Sequence, residues 1–199
     1  MGNEVAFEVP KWNTIYAMLL SQAKKICQSG FKPDVIVGVT RGGWVPARIL
    51  SDLLEIPNLA TVRVEFYFGV AETRNEPALT QGVSARVLGK KTLVVDDVAD
   101  TGRSLQLVKE HLLQQGAAEV QIATLYYKPL SAAKPDYYEK KTLRWVVFPW
   151  DMKETARKIV EKHQNKSAIN LETEKLVKAG LSKPLVKAFL KEVLEERDC

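Results

Sequence analysis

Three aspartates, Asp96, Asp97 and Asp100, crowd one short stretch of this 199-residue chain, Leu93 to Ser104, which reads LVVDDVADTGRS. Two neighbouring ionised carboxylates repel each other, and cations or hydrogen-bond donors offset that cost. Mg²⁺ and vicinal sugar hydroxyls are the natural partners, because carboxylates are hard oxygen ligands and good hydroxyl acceptors. The residues that follow, Asp100-Thr101-Gly102-Arg103-Ser104, run into a helix start. Free backbone amides and the positive end of the helix dipole favour a phosphate there. Thr101 and Ser104 add hydroxyl donors, Arg103 adds charge, and Gly102 lets the backbone come close. Acids for sugar hydroxyls beside amides for a phosphate make a seat for a ribose phosphate. A capped helix and a solvated strand end would explain an isolated pair of acids, but not the whole ordered stretch.

A second turn, Thr40-Arg41-Gly42-Gly43, closes another apolar run. Consecutive amides without side chains at Gly42 and Gly43 can wrap a pyrophosphate, and Arg41 supplies a cation.

The elements that must position these turns follow from hydrophobic period. Ile15, Met18, Leu19, Ala23 and Ile26 recur at helical spacing between Trp12 and Ser29, with Gly30 as the stop. Val35–Val39 is a fully apolar run, as an interior parallel strand requires. A helix over Val45–Leu54 tolerates Pro46 in its first turn. Leu59–Phe66 alternates Thr61, Arg63 and Glu65 with apolar residues, so it is a strand with one wetter face. Leu93–Asp96 is a strand, Ser104–Gln115 a helix stopped by Gly116, and Val120–Tyr127 a strand. Trp145–Phe148 is a short apolar run and Glu154–His163 a helix. No clean period covers residues 68–86. Alternating strands and helices predict an α/β fold with a mostly parallel, twisted sheet flanked by helices. In such a sheet ligands sit beyond the carboxyl ends of the strands, where both turns lie.

The stretch VVDDVADTGRS resembles the phosphoribosyl-diphosphate (PRPP) motif of the type I phosphoribosyltransferases, and RWVVFPWD (Arg144–Asp151) resembles a segment of their bacterial xanthine-guanine members. The likeness covers about residues 12 to 157. It implies a 6-oxopurine phosphoribosyltransferase of purine salvage. PRPP and a purine base would give a nucleoside 5′-monophosphate and pyrophosphate with Mg²⁺ as cofactor. It implies that Asp96 and Asp97 hold the ribose and metal, and that residues 100–104 hold the 5′-phosphate. Asp100, near N7 of the base, would do acid/base work. Thr40, Arg41, Gly42 and Gly43 would form the pyrophosphate loop, with a cis Thr40–Arg41 peptide. Lys128 would donate to the purine 6-oxo group, which suits an ammonium because it can only donate and so mismatches the amino group of adenine. Trp145 would stack on the base, Val146 read its 2-position through the main chain, and Asp151 help bind magnesium-pyrophosphate. Arg157 either reaches pyrophosphate or is a solvated helix charge. The likeness divides the chain into a phosphoribosyltransferase domain over 1–165 and a helical extension over 166–199. Hood elements would lie near 1–12 and 128–157, and a mobile loop at about 68–86. It also implies a homodimer or homotetramer.

The extension has no counterpart in the bacterial enzyme and reads as two short amphipathic helices broken near Gly180 and Pro184. Lys175, Lys178, Lys183, Lys187 and Lys191 raise an alternative, a PRPP-sensing regulator with a nucleic-acid-binding tail. Glu172, Glu174, Glu192, Glu195 and Glu196 argue against one basic face and for docking on the body. A phosphoribosyltransferase for adenine or a pyrimidine is the nearer alternative, disfavoured by Lys128 and the Trp145 segment.

The net charge of +5 suits an anionic ligand, but the basic residues are scattered, so nucleic acid is not expected. Two distant cysteines, Cys27 and Cys199, fit free thiols, Cys27 in the core. His111 and His163, on helices with no partner in the motifs, suit surface or satisfied packing. No apolar signal segment or membrane-length run is present, so a soluble cytoplasmic protein is expected.

Overall fold

The computed structural model describes residues 6–67, 76–163 and 165–197. They form two compact units, Ile15–Leu143 and a second composed of Met1–Thr14 with Arg144–Cys199.

The first unit is built on a six-stranded sheet. Its strands are β2 (Val35–Thr40), β3 (Leu59–Tyr67), β4 (Glu76–Gln81), β5 (Lys91–Ala99), β6 (Glu119–Tyr127) and β7 (Tyr137–Lys141). Their order is β4-β3-β2-β5-β6-β7, and every pairing is parallel except β3 with β4. β2 and β5 are interior strands whose runs Val35–Val39 and Thr92–Val95 are buried, as a sheet covered on both faces demands. Helices α1 (Trp12–Gln28), α2 (Trp44–Leu53) and α3 (Arg103–Gln114) belong to this unit, apart from the first three residues of α1. α1 buries Ile15, Leu19, Gln22, Ala23 and Ile26, a single stripe at helical spacing. Gln22 is the polar member of that stripe, and its Nε2 donates to the Thr124 carbonyl at 2.8 Å.

Three differences from the sequence reading have local causes. Residues 68–75 of the expected mobile loop lie outside the described residues, but Glu76–Gln81 is strand β4, antiparallel to β3. β4 is an edge strand that carries Pro77, and an edge is where a strand tolerates proline. β5 runs on to Ala99 rather than stopping at Asp96, because β6 continues beside it, pairing Asp96 with Thr124 and Ala99 with Tyr127. Cys27 is exposed, on the outer side of α1, not in the core.

The second unit holds a two-stranded parallel ribbon, β1 (Phe7–Glu8) with β8 (Trp145–Val146), and helices α4 (Met152–Lys162), α5 (Lys166–Lys178) and α6 (Lys183–Arg197). Asn165 caps α5 by accepting from the Ala168 amide at 2.7 Å. Gly180, with φ +115°, turns the chain between α5 and α6, whereas Pro184 lies inside the first turn of α6, where its missing N–H costs nothing. Val147, Ala156, Ile159 and Val160 share one buried cluster with Ile169, Leu176, Leu181, Val186, Leu190 and Val193. Residues of the extension thus complete a core with Val147 and α4. No described helix is long and apolar enough to cross a membrane.

Candidate active site

Within the sheet unit, the ends of β2, β5 and β6 carry most of the singled-out residues. After β2 the Thr40–Arg41 peptide is cis. The turn is tied back by the Gly43 amide to the Val39 carbonyl at 2.8 Å, and the Thr40 hydroxyl donates to the Val62 carbonyl at 3.1 Å. The two glycines have a different rationale from open access to a ligand. A Cβ on Gly43 would run into the Val95 carbonyl, with the Val39 carbonyl at 2.8 Å and Asp96 Cα at 2.9 Å. A Cβ on Gly42 would meet the Asp97 carboxylate, whose Cγ would be 2.7 Å away. The glycines let the turn lie directly on the acidic end of β5.

Asp96 and Asp97 are therefore not equivalent. Successive strand residues point to opposite faces. Asp97 is 7% exposed and sits against Gly42, while Asp96 is half-buried and its carboxylate accepts from the Asp97 amide at 3.0 Å. Among the described residues no cluster of three or more His, Cys, Asp or Glu could enclose a metal ion. Two carboxylates fit a Mg²⁺ that shares its shell with substrate oxygens and water, which is how that ion usually binds.

Beyond β5, Asp100 and Thr101 are exposed and Gly102 is buried in the left-handed region at φ +77°. A Cβ on Gly102 would strike the Ala133 amide and the Ser131 hydroxyl, so close backbone crossing by residues 131–133 imposes this glycine. The Ala132 amide donates to the Thr101 carbonyl at 2.8 Å, locking that crossing. α3 then begins at Arg103, one residue before the expected Ser104, and its first-turn amides lack intrahelical acceptors. Arg103 reaches Glu76 at 3.5 Å.

Lys128 follows β6, and its amide donates to the Ala99 carbonyl at 3.0 Å. Its Nζ lies 2.9 Å from an Asp100 carboxylate oxygen, with the lysine side chain 19% and the aspartate 49% exposed. A cation and an acid from different strands thus stand side by side over the sheet end.

Sequence reasoning passed over Arg63, Glu65 and Phe66. They line an open cleft with Thr40 and Arg41, and Arg63 pairs with Glu65 at 2.6 Å. The polar alternation along β3 was the available signal.

Trp145, Val146 and Asp151 belong to the other compact unit. Trp145 is 41% exposed, with Lys158 Nζ 5.6 Å from its ring centroid, a cation–π distance. Val146 pairs with Glu8. Asp151 is half-buried at the N-cap of α4, where its carbonyl accepts from the Thr155 amide at 2.8 Å. Trp150 stacks on Phe148 at 4.8 Å and meets Trp12 at 5.5 Å. Arg157 is ion-paired with Glu196 at 2.6 Å, so it is not simply a solvated charge. The Nε2 atoms of His111 and His163 are buried without a hydrogen-bond partner.

A parallel sheet with two glycine turns, paired acids and a helix-start turn at its carboxyl end defines a ribose-phosphate-handling α/β enzyme. Residues 10–157 match the phosphoribosyl transferase domain, and the chain belongs to that family. The xanthine-guanine phosphoribosyltransferase of Ruegeria sp. (strain TM1040) is 30% identical over 164 residues, which are 76% of this chain and 89% of that protein. That of Cereibacter sphaeroides is 33% identical over 76% of this chain and 90% of its own length. The crystal structure of a purine phosphoribosyltransferase from Pyrococcus horikoshii superposes with a TM-score of 0.67 at 36% identity, covering 73% of this chain and 93% of that one.

Proposed function

We propose that the chain transfers the phosphoribosyl group of PRPP to a 6-oxopurine (guanine, xanthine or hypoxanthine), giving the nucleoside 5′-monophosphate and pyrophosphate. The observation that carries this reading is the Lys128–Asp100 pair, 2.9 Å apart at the ends of two neighbouring strands. A 6-oxopurine presents its carbonyl oxygen and N7 side by side along one edge. A fixed donor next to a carboxylate matches that edge when N7 carries a proton that the carboxylate can accept, and adenine's amino group would face an ammonium that cannot accept.

In the reaction the bond between C1 and the pyrophosphate oxygen breaks, and the oxygen keeps the electron pair. N9 of the base bonds to C1 and the base gives up a proton, with Asp100 holding or passing a proton at N7. Asp96 and Asp97 hold the ribose hydroxyls, and Thr101, Gly102, Arg103 and Ser104 hold the 5′-phosphate, which fixes the approach of C1 to the base. Thr40, Arg41, Gly42 and Gly43 receive the charge that develops on pyrophosphate. Trp145 stacks on the base and the main chain at Val146 reads its 2-position. Asp96 and Asp97 would hold Mg²⁺ at the ribose, with Asp151 assisting at pyrophosphate. The ion supplies charge neutralisation of the leaving group.

We also expect a homodimer or homotetramer. Tyr16 and Leu20 are exposed apolar residues one turn apart on α1, of the kind an assembly covers, and light scattering after size exclusion tests it. Nucleic acid is not a proposed partner. Lys175 lies 3.3 Å from Glu172 and Lys191 3.7 Å from Glu195, so these lysines do not make a bare cationic face. Purified protein with Mg²⁺ and PRPP should release pyrophosphate with at least one of the three oxopurines and much more slowly with adenine. No release with any of them would overturn the proposal.

A further inference from the structure

The segment proposed to read the base shares a buried cluster with the extension. From residues 144–163 only Val147, Ala156, Ile159 and Val160 join the buried cluster, and the other six members come from α5, α6 and the turn between them. Val147, which directly follows Trp145 and Val146, belongs to the same cluster as the extension's apolar residues. At the rim, two cations of α4 meet two acids of α6. Lys153 lies 2.7 Å from Glu192 and 3.4 Å from Glu196, and Arg157 lies 2.6 Å from Glu196. Both cations lie within the first two turns after Asp151. The next residue after Arg157, Lys158, lies over the Trp145 ring. A cavity beside the indole is lined by Phe7, Ile159, Lys158 and, from α5, Glu172. α4 thus borders the indole, and the extension packs against α4 and pairs with its charges.

We infer that residues 166–197 are a brace that positions Trp145, Val146 and Asp151, so that purine recognition depends on a segment outside the matched domain. Leu190, Glu192 and Glu196 are positioning residues, acting through α4. The inference rests on the function proposed above for Trp145.

The test uses the full chain carrying Leu190→Ala and, separately, the Glu192→Gln/Glu196→Gln double variant. Two quantities are read, KM for the purine against KM for PRPP, and amide exchange at residues 145–153 against 93–99. Leu190→Ala should raise the purine KM roughly tenfold, a size set by loss of pre-organised contacts, and leave the PRPP KM within about twofold. Exchange should quicken at 145–153 and not at 93–99. The double variant should show the same pattern more weakly, and it decides the matter should Leu190→Ala fail to fold. Equal change in both KM values, unchanged exchange at 145–153, or a loss of folded protein with normal KM values would each overturn the brace. Absence of turnover with every purine in the unaltered chain would instead overturn the proposed function, and the exchange measurement would still decide the brace.

Discussion

Gly43→Ala isolates the contact between the Thr40–Gly43 turn and the acidic strand. Gly43 has φ −72° and ψ −11°, ordinary right-handed backbone that alanine adopts without strain. Any cost must therefore come from where the new methyl group goes. It would lie 2.9 Å from Asp96 Cα and 2.8 Å from the Val39 carbonyl, and nearer still to the Val95 carbonyl. Carbon contacts are comfortable at about 3.5 Å, so the turn and β5 must separate by about 0.6 Å or more. The obstacles are backbone atoms of two interior strands, and none can rotate aside. Overpacking of this kind costs about 1–3 kcal/mol. A displacement approaching 1 Å at a group that must meet the leaving pyrophosphate lowers turnover by about 100-fold.

Urea unfolding measures the first quantity and pyrophosphate release the second. Gly30→Ala is the control, because Gly30 has φ +79° and a Cβ there meets nothing within 4 Å. It should lose about 1 kcal/mol through its left-handed backbone, with turnover unchanged. A Gly43→Ala protein as stable as the parent and active within about twofold would refute the view that this glycine is a spacer between turn and strand.

Lys128→Met removes the charged donor and should raise the oxopurine KM by about 10- to 100-fold, with the PRPP KM little changed, in steady-state assays. Asp100→Asn keeps the shape but not the proton transfer, and should lower kcat by about 100-fold or more; full turnover would remove Asp100 from its role. Chelation by EDTA should abolish pyrophosphate release and added Mg²⁺ restore it, whereas activity that survives thorough chelation would exclude the metal. The Arg157 hydrogen bond, with Lys153 assisting, holds the Glu196 carboxyl below the usual carboxylate range. A depressed carboxyl contributes stability above its unfolded pKa of about 4.5 and loses it as pH falls through the lower folded value. The stability gap between the parent and Glu196→Gln should thus be present at neutral pH and close in acid; thermal melts between pH 7 and pH 3 check this.

The interior of the sheet was legible because burial on both faces leaves an unmistakable apolar run, as at Val35–Val39 and Leu93–Val95. The turns that end those runs were legible because glycines, acids and hydroxyls cluster there. Edge structure was not. β4 carries Glu76, Pro77 and Gln81, and β7 carries Tyr137, Tyr138 and Lys141, so neither shows the period of a buried strand. Their pairing is imposed by β3 and β6, the strands that precede them in the chain. Burial of Cys27 was misjudged because helical spacing places it beside the stripe of Ile15, Leu19 and Ile26 but not on it. The reasons for the glycines were also hidden. Gly42, Gly43 and Gly102 could each be read as clearance for a ligand, and only the three-dimensional crossings with Asp97, β5 and residues 131–133 show what fills the space.

Those crossings make the phosphate-handling side of the site stiff. The Thr40–Gly43 turn lies on β5, residues 131–133 lie on Gly102, and Lys128 is hydrogen-bonded to Ala99, so the pyrophosphate turn, the 5′-phosphate turn and the base-donor lysine are each fixed by backbone contacts within the sheet unit. The residues proposed to stack on and read the base draw their support from a different core, completed by α5 and α6. With those roles, sugar-phosphate binding and the Lys128 contact rest on the sheet, while stacking on the base and reading of its 2-position rest on separate packing and can be varied separately. Substitutions in the extension should then move purine constants without moving PRPP constants, and substitutions at Gly42, Gly43 or Gly102 should do the reverse. A chain that selects among bases while keeping one phosphoribosyl donor has a physical use for that separation. The reading end can be repacked without disturbing the backbone that holds the leaving pyrophosphate.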